Sequence, residues 1–188
     1  MLHIHQARHE FTSILPKGSV GAEIGVFTGR FSRELCKRAK PRLFFAIDPW
    51  WERHGEVFSF RPDMHTRHAY HSTLKRLSSW IRSGTARVLV QRSQDALMSL
   101  GPASLDWIYL DSSHDEAETW EELQLCRDVV RSDGVISGHD FTCKRWPGVF
   151  RALSRFLRDR SEYELFYVDN FSNWAIRRKD VKKTQTVV

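Results

Sequence analysis

Asp111, His114, Asp115, His139 and Asp140 fall in two short segments, Asp111-Ser-Ser-His114-Asp115 and Gly138-His139-Asp140-Phe141. Each segment follows an apolar run that reads as a strand, so adjacent strand ends bring the five side chains together. Two chemistries suit them. Asp111 and Asp140, joined by His139, can hold a divalent cation such as Mg²⁺, because carboxylate oxygens are hard ligands and imidazole accommodates borderline ions. His114 then takes the proton of a hydroxyl that the ion has acidified. Without a metal, Asp111 contacts an amino group of a ligand, and His114 or His139 acts alone as general base. The plainer alternative is that these groups only pin loops by hydrogen bonding.

A second set lies near the start of the chain. Gly21-Ala-Glu23-Ile-Gly25-Val26-Phe27-Thr28-Gly29 joins a β-rich run to a helical one, and such a turn lets backbone approach a nucleotide-like ligand at a helix N-terminus. Phe27 stands where a dinucleotide turn needs its middle glycine, and no Gly-Lys-Ser/Thr exists for a P-loop. Both phosphate readings weaken, whereas Glu23 ahead of the glycines suits a cationic or amine-bearing ligand. Asp48, followed by Pro49, ends the second strand about 20 residues past the turn, the offset at which a carboxylate takes ribose hydroxyls. Ser93-Gln94-Asp95, past the third strand, offers polar groups for a base.

The elements that must carry these residues alternate as β-rich runs and amphipathic stretches, which predicts a parallel sheet covered by helices on both faces. Strands are expected at Val20–Gly25, Leu43–Asp48, Arg87–Gln91, Asp106–Asp111, Val135–Gly138, Glu164–Val168 and Trp174–Arg177. Helices are expected at Arg30–Ala39, Met64–Arg82, Ala117–Val130 and Val149–Arg158. Asp115 and Ser93 read as N-caps and Asp133-Gly134 as a helix end. Asp169–Asn173 is too short for a parallel crossover, so the last two strands form an antiparallel hairpin. The reading is one domain over residues 1–180, with an N-terminal helical segment at 1–18, a substrate-side loop at 49–63 and a basic, flexible tail at 181–188. The loop carries Trp50, Trp51, Phe58 and Phe60, which line a pocket or fold into the core.

Composition narrows the classes. The chain has 188 residues, 41% hydrophobic and 28% charged, with formal net charge +6, enough to bury about two-thirds of the unfolded surface. Disorder and a mini-protein scaffold are excluded. No apolar run approaches the ~18 residues of a bilayer-spanning helix, and the first ten residues lack a secretory stretch, so the expectation is a soluble, cytoplasmic protein with no membrane partner. Cys36, Cys126 and Cys143 are too far apart for a metal or redox pair. The surplus positive charge, including Arg151, Arg155, Arg158 and Arg160, reads as solvated helix faces. His65, His68 and His71 drift around a helix in steps of three and read as surface or packing, as do His3, His5 and His9 near the terminus. Trp146-Pro147 caps an acceptor pocket or joins the core.

Taken together, Glu23-x-Gly25-x-x-x-Gly29, Asp48, Ser93-Gln94-Asp95 and the two acid and histidine segments resemble the class I S-adenosylmethionine-dependent methyltransferases over nearly the whole chain. The D-x-x-H-D and G-H-D-[YF] pair resembles the small-molecule O-methyltransferase branch. The resemblance implies a Rossmann-like α/β three-layer sandwich with a seven-stranded, mostly parallel sheet whose last strand is antiparallel. It implies that Glu23 to Gly29 wrap the methionine part of S-adenosylmethionine, that Asp48 binds ribose, and that Ser93 to Asp95 meet adenine. It also implies methyl transfer to a small-molecule hydroxyl with His114 or His139 as base. His139 stands where this branch usually has a second consecutive acid, which leaves Mg²⁺, another divalent metal or none open. A catalytically silent cofactor- or partner-binding protein is the alternative. Nucleic acid ranks behind as a partner, since Asp111-Ser-Ser-His114 replaces the N-P-P-[YF] pattern of base-amine methylation. With few residues left over for a lid, the pocket is open or covered by a second subunit of a homodimer.

Overall fold

The computed structural model describes residues 10–50, 62–142 and 144–179. Seven strands, β1 (Val20–Ile24), β2 (Leu43–Ile47), β3 (Ala86–Leu89), β4 (Leu105–Leu110), β5 (Val130–Gly138), β6 (Tyr163–Val168) and β7 (Trp174–Arg178), form one sheet in the order β3-β2-β1-β4-β5-β7-β6. β1 to β5 run parallel, and β7 pairs antiparallel with both β5 and β6. The hairpin expected from the short Asp169–Asn173 connection is therefore present. Asp169 tightens it by accepting from the amides of Phe171 and Asn173.

Five helices, α1 (Arg30–Arg38), α2 (Pro62–Arg82), α3 (Ser93–Ser99), α4 (Glu116–Val129) and α5 (Pro147–Asp159), cover the sheet. Two cores result, one on each face. α3, α4 and α5 place Ala96, Leu97, Leu123, Cys126, Leu153 and Phe156 against Val20, Ala22, Ile108 and Leu110. On the opposite face Phe31 and Leu35 of α1 and Ala69 and Leu77 of α2 pack with Phe11, Trp107 and Tyr109. Alternate residues of β4 thus serve opposite cores, as period-two geometry requires of a strand buried on both sides. Cys36 and Cys126 are buried free thiols. No helix among the described residues is long and apolar enough to cross a membrane.

Several sequence expectations shift. α2 starts at Pro62, not Met64, because proline's fixed φ and missing N–H suit the first helical position; the substrate-side loop therefore ends before Pro62. Ser93 is the first residue of α3 and Arg92 holds the cap position, so the N-cap reading of Ser93 is corrected. Asp133-Gly134 does not end a helix: α4 stops at Val129 and the chain enters β5 at once, with the pairing to β4 shifting register between Leu105 and Trp107. Of the N-terminal segment, a short helical turn closing in a 3₁₀ turn at Thr12–Ile14 is described. His3, His5, His9, Trp51, Phe58, Phe60, Cys143 and the 181–188 tail lie outside the described residues.

Candidate functional site

The carboxyl ends of β1, β2, β4 and β5 meet along one sheet edge, and two differently built regions lie there. The first is made of backbone. Gly25 has φ 86° and its amide donates to the Ile47 carbonyl. A Cβ at Gly25 would come 1.9 Å from the Asp111 carbonyl oxygen, so only glycine lets the β1 turn lie this close to the β4 end. Phe27, also left-handed at φ 51°, is anchored from three sides. Its amide donates to Asp48 Oδ2 at 2.8 Å, and its carbonyl accepts from Trp50 Nε1 at 2.8 Å and Thr73 Oγ1 at 3.0 Å. The Thr28 carbonyl accepts from Arg76 of α2 at 2.8 Å. Val26 and Gly29 are buried while the Phe27 ring is half exposed.

Asp48 is itself buried, and its other oxygen accepts from the Trp50 amide at 2.8 Å. Glu23 is buried beneath the loop and accepts from Ser32 Oγ of α1. Burial, with Glu23 nearby, pushes the Cys36 thiol up to about 12, leaving it inert. Pro49 is buried beside Asp48. Ser93, Gln94 and Asp95 form the first turn of α3, where Gln94 Nε2 donates to Glu121 Oε2 at 3.2 Å. The glycine turn and Asp48 are thus brought into direct contact, and Ser93 to Asp95 stand past β3 on the same edge.

The second region is made of side chains. The Asp111 amide donates to Ile24 and the His139 amide to Leu110, which continues the sheet ladder and aligns the two segments. His114 Nε2 lies 2.6 Å from Asp140 Oδ2 and 3.5 Å from Asp111 Oδ1. His139 Nδ1 lies 3.1 Å from Asp140 Oδ1 and 3.9 Å from Asp111 Oδ1. His114 and Asp140 both have left-handed φ, 63° and 60°, in positions where non-glycine residues are uncommon. Burial opposes a charged imidazole, yet hydrogen bonds to Asp111 and Asp140 and their negative charge outweigh it and raise His114 to about 9. Burial alone would raise Asp140, but the two histidines hold it well below the usual carboxylate range. The donor atoms of Asp111, His139 and Asp140 all lie within 4.8 Å of one another. Two carboxylates and an imidazole at that spacing fit a divalent cation. Asp115 caps α4, accepting from the amides of Ala117 and Glu118 at 2.8 and 3.1 Å, as its place in the sequence suggested. His68 and His71 are exposed on α2, in keeping with a surface reading.

Trp146 stacks on His114 at 4.5 Å, the first of the two readings that its position allowed. Two features were not legible beforehand. Glu122 of α4, reached by Ser112 Oγ at 2.7 Å, is wholly buried and pushed up to about 7 by that burial. Gly148 in the first turn of α5 packs so tightly on the loop after β4 that a Cβ would meet the His114 carbonyl oxygen at 2.4 Å. Glu122 lies eight residues past His114 on another element's inner face, and no local spacing signals it.

Residues 22–141 match a protein family described as methyltransferase domain. Among solved structures, spermidine synthase from Thermotoga maritima superposes with TM-score 0.58 and 19% identity over 90% of this chain; the chain spans only 55% of that enzyme. A protein from Corynebacterium glutamicum gives TM-score 0.67 at 12% identity, covering 97% of this chain and 82% of the other. An S-adenosylmethionine-dependent methyltransferase from Aquifex aeolicus gives 0.61 at 14%, covering 92% and 86%. At such identities the likeness is one of fold. No protein of curated function matches the sequence.

Proposed function

Because the chain belongs to the methyltransferase-domain family, we propose that it is an S-adenosylmethionine-dependent methyltransferase acting on a hydroxyl oxygen of a small molecule, with a divalent cation at Asp111, His139 and Asp140 and with His114 as base. The cofactor supplies an electrophilic methyl on a sulfonium. The turn from Glu23 to Gly29, with Asp48 and Pro49, would hold its methionine and ribose parts, and Ser93, Gln94 and Asp95 its base. Displacement at that methyl needs the acceptor in line and its oxygen lone pair available.

One observation carries the preference for a cation. Paired with Asp111 and Asp140, His114 is raised to about 9, so at neutral pH it is mostly protonated and a poor base while both carboxylates are charged. Once the charge of those two carboxylates is neutralised, the imidazole loses what holds its proton and returns towards its ordinary range. A cation at the acids and a working base at His114 therefore go together, and the ion would also acidify the acceptor hydroxyl. His139 then serves as a ligand and not as the base.

The test is release of S-adenosylhomocysteine from S-adenosylmethionine across a panel of hydroxylated small molecules, with Mg²⁺ or Mn²⁺ and again with chelator. Metal-dependent turnover that is lost in His114→Ala is the expected result. Chelator-insensitive turnover would remove the metal, and turnover indifferent to His114 would remove the base. Methylation of an oligonucleotide, with steeply salt-dependent binding, would move the acceptor to nucleic acid.

A further inference from the structure

A cleft of about 670 Å³ opens on the outer side of His114, between the N-terminal ends of α4 and α5. That volume is in the range of small-molecule sites. His114 also lines a space of about 10 Å³ with Asp111, Glu122 and His139, so one imidazole separates the acid cluster from the cleft.

The walls of the cleft carry a surplus of positive charge. Arg145, Arg151 and Arg155 line it against two acids, Asp115 and Glu116. Both acids are committed: Asp115 caps α4, and Glu116 Oε2 lies 2.5 Å from Arg151 Nε. Arg155 is stacked 3.9 Å over Trp120, which fixes its guanidinium plane. Arg145 sits 5.7 Å over Trp146 and has no carboxylate partner among the described residues. The N-terminus of α5 adds to the same sign, since Trp146 at its cap position makes no side-chain hydrogen bond to its amides and Pro147 begins the helix. The sequence pattern places Arg151 and Arg155 on a solvated helix face; in the fold they line one cleft together with Arg145 and His114.

We propose that this cleft receives an acceptor bearing an oxyanion, a carboxylate or a phosphate, held by Arg145 and Arg151 beside the His114 and Trp146 stack. The proposal rests on the reading of Asp111, His114 and Asp140 as the acceptor end of the site. It names a substrate class: small hydroxylated acids or phosphate esters, in preference to neutral sugars or phenols. Guanidinium forks suit both oxyanions, and an uncommitted arginine beside a half-committed one can shift towards a ligand without leaving a buried charge behind.

The experiment is ligand-observed NMR on the full chain with matched probes, gallate against gallamide and phenyl phosphate against phenol, in chelator so that the acids do not contribute through a metal. The expected result is binding of the anionic members at least about tenfold tighter than their neutral partners. That preference should fall to near unity in Arg145→Gln/Arg151→Gln, be partly kept in Arg145→Lys, and persist in Arg158→Gln, which removes a positive charge of α5 outside the cleft lining. A preference for gallate alone assigns a carboxylate, and for phenyl phosphate alone a phosphate. Equal binding of anionic and neutral probes, no binding of any, or a preference unchanged in the double variant overturns the proposal. Thermal unfolding and S-adenosylhomocysteine titration of each variant separate misfolding from lost recognition. If the charge preference is present but bound gallate, which carries hydroxyls beside its carboxylate, is not methylated once Mg²⁺ and S-adenosylmethionine are added, the oxyanion site stands and the assignment of the acceptor end falls.

Discussion

The proposed cofactor side and the proposed acceptor side of this sheet edge use the same residue types differently. Around β1 and β2 the acids are structural: Glu23 is taken by Ser32, and Asp48 by the amides of Phe27 and Trp50, so their charge fixes a backbone shape. After β4 and β5, Asp111 and Asp140 meet imidazoles, Asp140 lying between His114 and His139. A carboxylate hydrogen-bonded to amides has nothing to exchange. One paired with titratable histidines can trade its partner for a proton or a cation. The first arrangement suits a ligand that is always the same, the second a reaction.

That contrast can be broken most severely at a close contact that joins the halves. Gly25→Val places side-chain atoms on the Asp111 carbonyl at a left-handed position, and should cost more than about 3 kcal/mol in thermal unfolding. It should also abolish any stabilisation by S-adenosylhomocysteine; a variant stabilised like the natural chain would show that the turn does not approach the cofactor.

Next in size is a crossed pair of substitutions. Asp140→Asn should lower turnover by roughly 10²- to 10⁴-fold while leaving S-adenosylhomocysteine affinity within a few fold, because it removes proton and metal chemistry only. Asp48→Ala should do the reverse, weakening S-adenosylhomocysteine by about tenfold or more as the Phe27 turn loses its anchor. Calorimetric titration and initial rates on the two proteins decide it, and equal effects of both on both quantities would dissolve the distinction.

A smaller effect is the pH dependence of the metal-free protein. His114 at about 9 in the fold is above its unfolded value. Its contribution is complete below about pH 6.5 and disappears as pH rises through 9, on the order of 1–3 kcal/mol. Melting temperature should therefore drop across that window, and the drop should flatten in His114→Gln. Addition of Mg²⁺ should flatten it as well, since both carboxylates then have another partner.

The smallest is at Glu122. A buried acid raised to about 7 destabilises the fold once it is charged, so stability falls as pH rises through the interval from 4.5 to 7. Glu122→Gln should melt higher than the natural chain above about pH 8, by on the order of 1 kcal/mol, and match it below about pH 5. No difference at the higher pH would mean that Glu122 keeps its charge at little cost.

How far the sequence foretold this depends on the distance between the residues concerned. The seven strands were legible because apolar runs such as Leu43–Ile47 and Trp107–Leu110 are contiguous, and the antiparallel end followed from the length of one turn. Asp111, His139 and Asp140 were legible as a group because each adjoins a strand end and neighbouring strands end together. The seven-residue α3 was too short for its period to register, and Asp133-Gly134 mimicked a helix end because a register shift in a strand uses the same residues. The cleft was not legible at all: Trp120, Arg145, Arg151 and Arg155 belong to two helices and a loop, and only tertiary packing turns a charged stripe into a wall.

Gly148 shows what that packing sets. With the His114 carbonyl 2.4 Å from where its Cβ would be, the spacing between α5 and the loop after β4 is already at its minimum. Substitution can only push the two apart. The cleft's width is thus a dimension with a floor and no ceiling, defined by an atom the chain leaves out. In a chain carrying alanine or serine at this place, α5 and the loop after β4 would have to move apart, and Trp146 and His114 with them, so this cleft-lining position gauges substrate size through an atom it lacks.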